Sequence, residues 1–375
     1  MNTLRSALLV ALPLAASAAF ACTTQTIIEE KAPEGSSGGP AANEPSPLEG
    51  LAADWQAKAA ANLDERAGTW LSSPPKVANV SCAMSCHTTF PYLIARSSLG
   101  DAATKSADTA RARFVTRVSE ATSGTAIPFY GKNEDSKVKE SHATEAVLNA
   151  AALSLDDLGG GNPLSADAKK ALDRMWAQQS ADGSWAWLEF GLEPWEARND
   201  WGAALAALVA GSIPENSSAG QAAGTAKVIS YLNGRLSSMA FHDKVMVLWA
   251  SGKLQGLLDQ AKADEIVDAL SAKQLDDGGF SLGSFGKGDI ASKGAKQSDG
   301  YATALAVLAL CRGSAENAKR PDVKKGLAWI AQNQAADGSW PGRSVNSTSQ
   351  RAAGFMTDAA TSYATLAITQ CGMAK

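Results

Sequence analysis

One short segment recurs along the chain, and it constrains the fold more than any other feature. The copies span residues 178–185, 274–280 and 332–340, and each places a glutamine ahead of an Asp-Gly or Gly-Gly turn that ends on an aromatic residue. Glycine suits such a tight turn because it adopts a positive φ without steric cost. A turn that returns at long intervals is typical of a repeat protein, in which each repeat is one supersecondary unit.

Each turn separates two helices of different character. The helix before the turn carries Lys, Asp and Glu on one face, whereas the helix after it consists almost wholly of Ala, Leu, Val, Ile and Thr. A helix that is apolar all round must be buried, and a striped helix can face water. We therefore predict αα-hairpins with the first helix outside and the second inside. The pairs are 168–178 with 201–210, 264–274 with 301–311, and 323–332 with 362–371.

The same pattern gives three further hairpins. Six hairpins whose inner helices carry small residues can close into a ring, so we predict an all-α fold, an (α/α)6 toroid over residues 51–375. An open solenoid is the alternative, but it would need polar end caps that the sequence does not show. The further pairs are 51–71 with 88–99, 107–121 with 144–155, and 222–236 with 243–250.

The repeated segments resemble the QW motifs of the squalene-hopene cyclase and prenyltransferase superfamily. The resemblance covers roughly residues 50–372 and implies an α/α toroid in which the glutamine and the aromatic residue tie helices together. It therefore implies structural roles for Gln178, Trp185, Gln332 and Trp340.

The chemistry of that superfamily is not matched. Its cyclases protonate an alkene with an Asp in a D-x-D-D motif, where neighbouring groups tune the acid. The aspartate pairs 156–157 and 276–277 do not form this motif and are interpreted as turn residues. Its protein prenyltransferases hold zinc with Asp, Cys and His, but the comparable position here is Asp299-Gly-Tyr301, and the chain has only three histidines. The sequence thus predicts the toroid scaffold without the cyclase acid or the prenyltransferase zinc site, and it does not decide whether the protein is an enzyme.

The segment between the first two helices carries cysteine and histidine. Cys82, Cys86 and His87 form C-x3-C-H, one residue longer than the C-x-x-C-H of covalent c-type haem attachment. In such sites two thiols add to the haem vinyl groups, and the adjacent His ligates the iron. Residues 85–92 also resemble the cytochrome-c-like segment of bacterial cyclase-repeat proteins. We predict haem c, with thioethers at Cys82 and Cys86 and iron on His87. A local Cys82–Cys86 disulfide or a partial metal site is the alternative.

A sixth iron ligand would have to lie on the same rim of the ring as His87. His142 precedes the inner helix of the second hairpin, and Met356 precedes that of the sixth. Both hairpins adjoin the first after closure, so His142 and Met356 are the candidate distal ligands. The alternatives are a solvent-exposed helix start for His142 and ordinary rim packing for Met356.

The loop 185–201 is a second candidate site because it is rich in tryptophan and carboxylates. Together with its tryptophans, Glu189, Glu193 and Glu196 suit a sugar or an apolar ligand, or an acid/base pair. The alternative is structural: stacking that stabilises the ring explains most of the tryptophans, and a solvated acidic loop explains the carboxylates.

Two further cysteines, Cys311 and Cys371, end the inner helices of the fifth and sixth hairpins. They pair if the helix ends come within disulfide range, or they remain buried thiols.

Residues 1–21 predict a signal peptide, since Arg5 precedes an apolar run that is too short to span a bilayer. The segment that ends at Cys22 resembles a bacterial lipobox, so we predict lipidation of Cys22; cleavage after Ala21, which leaves a thiol, is the alternative. Residues 22–50 are rich in Pro, Gly, Ser and Glu and predict a flexible tether. The expected location is the cell envelope, as a periplasmic or surface lipoprotein with membrane contact through the lipid alone.

Charge argues against nucleic acid as a partner. The formal net charge is −4 and no stretch clusters Lys and Arg, whereas phosphate binding needs a basic footprint. The sequence predicts an exported haem-binding toroid for electron transfer or redox sensing, with a redox protein as partner. The alternative is a haem-free binding protein or enzyme whose cavity takes a small apolar, isoprenoid or carbohydrate ligand.

Overall fold

The computed structural model is helical throughout the part of the chain that it describes. The predicted signal peptide, Cys22 and Cys82 lie outside the described residues, and so does nearly all of the predicted tether. The structure describes residues 46–72, 84–99, 104–128, 130, 135–286 and 297–372.

Six of the twelve α-helices in these ranges form an outer layer. Each buries one face: α5, for example, buries Ala168, Leu172 and Met175 on one side and exposes its charged residues on the other, as expected for an amphipathic helix. The outer helices are α1 (Trp55–Ser72), α3 (Lys105–Ser123), α5 (Ala166–Ala177), α7 (Gln221–Arg235), α9 (Gln260–Ser271) and α11 (Pro321–Gln332).

The other six helices form an inner barrel. All twelve residues of α10 are buried, and small side chains let such helices pack closely on several sides. The predicted division into outer and inner helices is therefore confirmed, but two inner helices begin well before the predicted residue. The last one, α12, begins at Gln350 and not at residue 362, and α4 begins at Asp135 and not at residue 144, so that His142 lies within it. The inner helices are α2 (Thr89–Arg96), α4 (Asp135–Gly159), α6 (Asn199–Ser212), α8 (Phe241–Ser251), α10 (Gly300–Cys311) and α12 (Gln350–Ala367).

The barrel is closed. Each inner helix contacts the next one along the chain, and α12 contacts α2. The outer helix α1 also packs against α12. The chain therefore forms the predicted (α/α)6 toroid and not an open solenoid.

The repeated turns join neighbouring hairpins through glutamine side chains. The Gln179 amide donates to the carbonyls of Gly183 and Gly224, at 3.1 and 3.0 Å. Gln274 repeats this pattern in the fifth hairpin. In the last hairpin, Gln334 donates to Trp55 of α1 at 3.2 Å, so the same device closes the ring.

The glutamines predicted for this role were wrong in two of the three turns. Gln178 is the C-cap of α5 and Gln332 is the last residue of α11, whereas Gln179 and Gln334 make the bonds. The glutamine that makes these bonds lies four residues before the turn glycine in each turn, and this spacing lets its side-chain amide reach the glycine carbonyl. The tryptophans are as predicted: Trp185 and Trp340 are fully buried and donate from Nε1 to carbonyls of α5 and α11.

The turn glycines pack directly on the next hairpin. Gly338 has φ 86°, and a Cβ placed there would lie 2.2 Å from the carbonyl oxygen of Lys58. Gly183 meets Lys227 in the same way. Both the positive φ and the close approach exclude a side chain at these turns.

Aromatic side chains fill the middle of the barrel. The ring of Tyr301 lies 4.9 Å from that of Tyr363 and 5.3 Å from that of Trp195. The Tyr301 hydroxyl also meets His242 Nε2 at 2.8 Å. The barrel is thus a packed core, with a cavity at each end and aromatic rings between them.

A disulfide joins Cys311 and Cys371, whose Cα atoms are 6.1 Å apart. Of the two alternatives for this pair, the structure has the disulfide. None of the helices in the described ranges combines the length and apolarity needed to cross a membrane.

Candidate functional site

All six inner helices run in the same direction, so the loops within the hairpins gather at one end of the barrel, the loop end. A cavity of about 430 Å³ opens there. Loop segments 84–87, 188–196 and 344–349 form much of its wall, together with side chains of α1, α4 and α12. Loops from the first, third and sixth hairpins therefore converge on this loop-end cavity.

Most of the cavity wall is apolar, and one side of it is a stack of rings. The His87 imidazole stacks on Phe355, with ring centroids 4.1 Å apart and planes 17° apart. Trp70 meets both rings edge-on, at 4.9 and 5.5 Å. Trp195 approaches His87 from another side at 6.3 Å. A flat or chain-like apolar molecule finds extended contact area on such a wall.

A relay of hydrogen bonds fixes the protonation of His87. Its Nδ1 lies 2.7 Å from the Thr88 hydroxyl, and that hydroxyl donates its proton to Asp358 at 2.7 Å. A hydroxyl has one proton, so the Thr88 oxygen must accept from Nδ1–H. The neutral tautomer therefore carries its lone pair on Nε2, which is the nitrogen left for a ligand.

The acid end of this relay is an ion pair. Arg66 donates from Nε to Asp358 at 2.7 Å, and Asp358 is 3% exposed. Burial raises the pKa of Asp358, and the hydrogen bonds from Arg66 and Thr88 oppose that shift. The relay thus links α1, the first loop and α12 across the point where the ring closes.

The same surroundings keep His87 neutral. Burial lowers its pKa to about 3, and the nearby charges of Arg351 and Arg66 act in the same direction. At neutral pH the imidazole is uncharged, which is the form that binds a metal ion or accepts a hydrogen bond.

The structure brings together three of the residues predicted for haem. Cys86, His87 and Met356 all line the loop-end cavity. His142 lies on α4 but is not among the lining residues, and burial, followed by the charges of Arg174 and Arg117, lowers its pKa. The geometry thus favours Met356 over His142 as a neighbour of His87. Ligation by either residue stays a prediction.

Two of the four carboxylates in the loop 185–201, those of Glu193 and Asp200, are engaged in ion pairs. Glu193 pairs with Arg198 at 2.6 Å, and Arg198 also pairs with Asp243 at 3.1 Å. Glu196 lines the cavity, and burial alone raises its pKa. One carboxyl group of this loop therefore faces the cavity without a countercharge, while the carboxylate of Glu193 is neutralised.

The tryptophans of this loop divide into two groups. Trp185, Trp187 and Trp201 are fully buried, as the packing interpretation expects. Trp195 lines the cavity, and its Nε1 donates to the Tyr301 hydroxyl at 3.1 Å. This one tryptophan links the cavity wall to the barrel centre.

The aspartate pairs have structural partners. Asp277 accepts from Gly279, Ser298 and Trp329 and so shapes the turn of the fifth hairpin. The interpretation of the pair 156–157 as turn residues is wrong: both lie within the last turns of α4, where Arg111 bridges their carboxylates. Among the described residues, no group of three or more metal-binding side chains is gathered at one place.

Sequence reasoning missed Trp70, Arg351 and Phe355. They lie on α1 and α12, which meet only because the ring closes. The available signal was local: Phe355 directly precedes Met356, and Arg351 stands one turn earlier on the same helix.

A second cavity of about 510 Å³ lies at the other end of the barrel, the far end. The C-terminal ends of the inner helices form it, and its wall mixes Leu and Ile with hydroxyl, amide and ammonium groups, including Ser212, Lys253, Thr369 and Gln370. Trp249 also lies in this wall.

Comparison with known proteins gives few matches in sequence. No curated protein matches the chain. Among solved structures, a glycosidase variant is similar over 86% of this chain and 99% of its own, with 14% identity and a TM-score of 0.46. A variant of the type II terpene cyclase MstE from Scytonema, in complex with geranylgeranyl dihydroxybenzoate, covers 84% of this chain and 99% of its own, with 12% identity and a TM-score of 0.49. The ring architecture itself rests on the helix contacts of this chain.

One family model matches, and it covers the later hairpins. Residues 233–374 match the squalene-hopene cyclase C-terminal domain. The match includes α8 to α12 and the turns at Gly278 and Gly338, and it does not extend to residues 82–87. The later hairpins of the ring, from α8 onward, are thus similar to the C-terminal domain of squalene-hopene cyclases.

Proposed function

We propose that this protein is a ring-shaped binding protein that holds an apolar ligand of the isoprenoid type in the loop-end cavity. One observation carries the proposal: a cavity of about 430 Å³ with a mostly apolar wall that includes stacked aromatic rings. Small-molecule sites are of this kind, roughly 300–1,000 Å³ and apolar with a few fixed polar groups.

The composition of the wall favours an isoprenoid over a carbohydrate. A sugar needs many hydrogen-bonding partners, and the Glu193 carboxylate is already engaged by Arg198. The Asn346 side chain is likewise bonded to the Glu193 backbone. The match of residues 233–374 to a squalene-hopene cyclase domain also supports an isoprenoid ligand.

Titration with farnesol tests the proposal, with the fluorescence of Trp70 and Trp195 as the signal. We expect saturable binding that Ala352→Phe abolishes, because Ala352 lines the cavity and a phenyl group there fills it. The matched control is Ala222→Phe on the exposed face of α7, which should bind as the wild type does. Binding that survives Ala352→Phe would contradict the proposal.

Covalent haem is the second candidate, and the His87 relay supports it. A proximal histidine needs a neutral ring with Nε2 unprotonated and Nδ1–H held by a partner, and His87 fits this requirement through Thr88 and Asp358. Cys86 would supply one thioether, and Met356, which lines the same cavity, would be the second protein ligand of the iron. Cys82 lies outside the described residues. When bound, the haem would supply one-electron redox chemistry, and a redox protein would be the partner.

An absorption spectrum separates the two candidates. The mature protein is expressed in a host with haem-attachment machinery, denatured, and tested for haem that stays with the polypeptide. Covalent haem that disappears in Cys86→Ala supports the second candidate. A Cys82–Cys86 disulfide in a protein without haem would contradict the second candidate and leave the proposal of an apolar ligand standing.

The proposed location is the cell envelope, with Cys22 as the lipid anchor. The Cys311–Cys371 disulfide supports an oxidising compartment. Mass spectrometry of the mature N-terminus tests the anchor: diacylglyceryl on Cys22 is expected, and a free amino terminus at Cys22 with an unmodified thiol would contradict it.

A further inference from the structure

We infer that the ligand of the loop-end cavity is an amphiphile whose single anionic head group, a carboxylate or a phosphate, is bound by Arg351 at the cavity mouth. This inference rests on the proposed function and specifies the chemistry of the ligand. Some charged side chains around the cavity have ion-pair partners among the described residues, and Arg351 does not.

Arg351 lies at the cavity mouth, with its guanidinium over the ring of Phe355. It lies in the first turn of α12, is exposed, and lines the cavity. Its guanidinium carbon sits 5.4 Å from the centre of the Phe355 ring, and Phe355 in turn stacks on His87. The stack orders a side chain that would otherwise sample many rotamers, which lowers the entropy cost of binding through it.

Two carboxylates near the cavity are already engaged by other arginines. Arg66 holds Asp358, and Arg198 holds Glu193. No described residue forms an ion pair or a hydrogen bond with the Arg351 guanidinium, as the ion pairs and hydrogen bonds of the described chain show. A cation at the mouth of an apolar cavity, with the charges of Asp358 and Glu193 balanced by other arginines, is complementary to an anion.

The helix that carries Arg351 adds to this preference. α12 is 18 residues long, and its N-terminal end lies at the cavity mouth, where the helix dipole favours negative charge. Arg351 and Ala352 of this end line the cavity, and so does Ser347 in the loop before it. The guanidinium and the helix end thus act on the same side of the opening.

Glu196 sets the orientation of the ligand. Its carboxyl group lines the cavity, and its pKa is raised by burial alone, with no contribution from a cation. An anion next to Glu196 would be repelled by its carboxylate or would force that group to take up a proton, whereas one at Arg351 is attracted. The head group therefore stays with Arg351, and the apolar body lies along Trp70, Phe355 and Leu148.

Two ligands with the same chain test this inference: farnesoic acid and farnesol, titrated calorimetrically against the full protein. Arg351→Gln should weaken binding of the acid about tenfold, the effect of one lost charge-assisted contact. Its effect on the alcohol should stay within about twofold, because the alcohol places no charge at the guanidinium. The matched control is Arg343→Gln, which removes an exposed charge beside the same helix but is not among the cavity-lining residues.

The outcomes separate this inference from the proposed function. Equal losses with Arg351→Gln and Arg343→Gln, or no loss of acid binding with Arg351→Gln, would overturn the anionic head group and leave the apolar cavity standing. Failure of both farnesol and farnesoic acid to bind the wild type would overturn the proposed function, and this inference with it. Farnesyl phosphate in the same titration then tells whether the head group is a phosphate or a carboxylate.

Discussion

The two ends of the inner barrel are built from the same six helices, yet they differ in chemistry. At the loop end, rings from four hairpins surround an apolar cavity whose wall includes His87 and Arg351. At the far end, the helix ends expose hydroxyl, amide and ammonium groups, and a disulfide lies beside them. The loop-end connections, such as 185–198, are long and carry aromatic side chains. The comparison teaches that two ends of one helical ring can differ in chemistry, because the loop end draws side chains from long loops as well as from the ends of helices.

If the far end is purely structural, removing its disulfide should change stability and leave binding intact. Cys311→Ser with Cys371→Ser should lower the free energy of unfolding by about 4 kcal/mol, since the bridge closes a loop over a sequence separation of 60. Chemical denaturation measures this loss. Farnesol affinity at low denaturant should be unchanged; a parallel loss of affinity would contradict the division of roles between the ends.

The turn at Gly338 should affect stability through ring closure. Gly338→Ala should cost about 3 kcal/mol, because it combines backbone strain at positive φ with a clash against the Lys58 carbonyl. Gly124→Ala is the matched control: that glycine also has positive φ but meets no atom within 4 Å, so we expect about 1 kcal/mol. Equal losses in denaturant unfolding would show that the contact with α1 does not matter.

The loop end should make stability depend on pH through His87. The pKa of His87 is about 3 in the folded protein, below the usual 6.5. Between these two pH values the imidazole is protonated in the unfolded chain and neutral in the folded one. The contribution of His87 is therefore fully present above pH 6.5 and declines as the pH falls toward 3.

The measurement is a difference between two proteins. Between pH 7 and pH 4.5 the wild type should lose about 2 kcal/mol more stability than His87→Phe. The difference between the two proteins removes the contributions of groups that titrate in both. Asp299 is one of them: burial raises its pKa to about 7, so its effect on stability runs in the opposite direction with pH. Identical pH profiles for the two proteins would contradict a buried neutral His87.

The smallest effect concerns the relay itself. Thr88→Val should cost about 1 kcal/mol and remove the partner that fixes Nδ1–H, which ¹⁵N NMR of the imidazole would register as a changed tautomer ratio. Thr122→Val, whose exposed hydroxyl bonds only the Val118 carbonyl, is the control and should leave the His87 signals unmoved. An unchanged tautomer in Thr88→Val would show that Asp358 and Arg66 do not act through Thr88.

Much of the fold was predictable because its signal is local. The apolar helix 301–311 can only be buried, and the turn glycines recur, so the sequence predicts six hairpins. The start of α12 was misplaced because residues 350–361 mix polar and apolar side chains, and their burial depends on neighbours from the first hairpin. The choice between Gln178 and Gln179 was decidable from the spacing of Gln274 and Gly278.

The site was less predictable because it is assembled by closure. Cys86, His87 and Met356 were placed on one rim from topology, and they do line one cavity. The relay of Arg66, Thr88 and Asp358 joins residues 270 and more positions apart, and no local pattern announces it. Arg351 carries no signal in sequence, since a single arginine in a helix is ordinarily a solvated charge.

The bond from Gln334 to the backbone of Trp55 has a consequence for when the molecule can form. Among the helices of the ring, α1 is synthesised first, whereas Gln334 is made near the end of the ring. The face of α1 that packs on the last hairpin therefore stays exposed until that hairpin has been made. Contacts between distant parts of a chain are slow to form. Were the chain exported as proposed, this late closure would keep the ring open until the last hairpin had followed the first through the translocation pore.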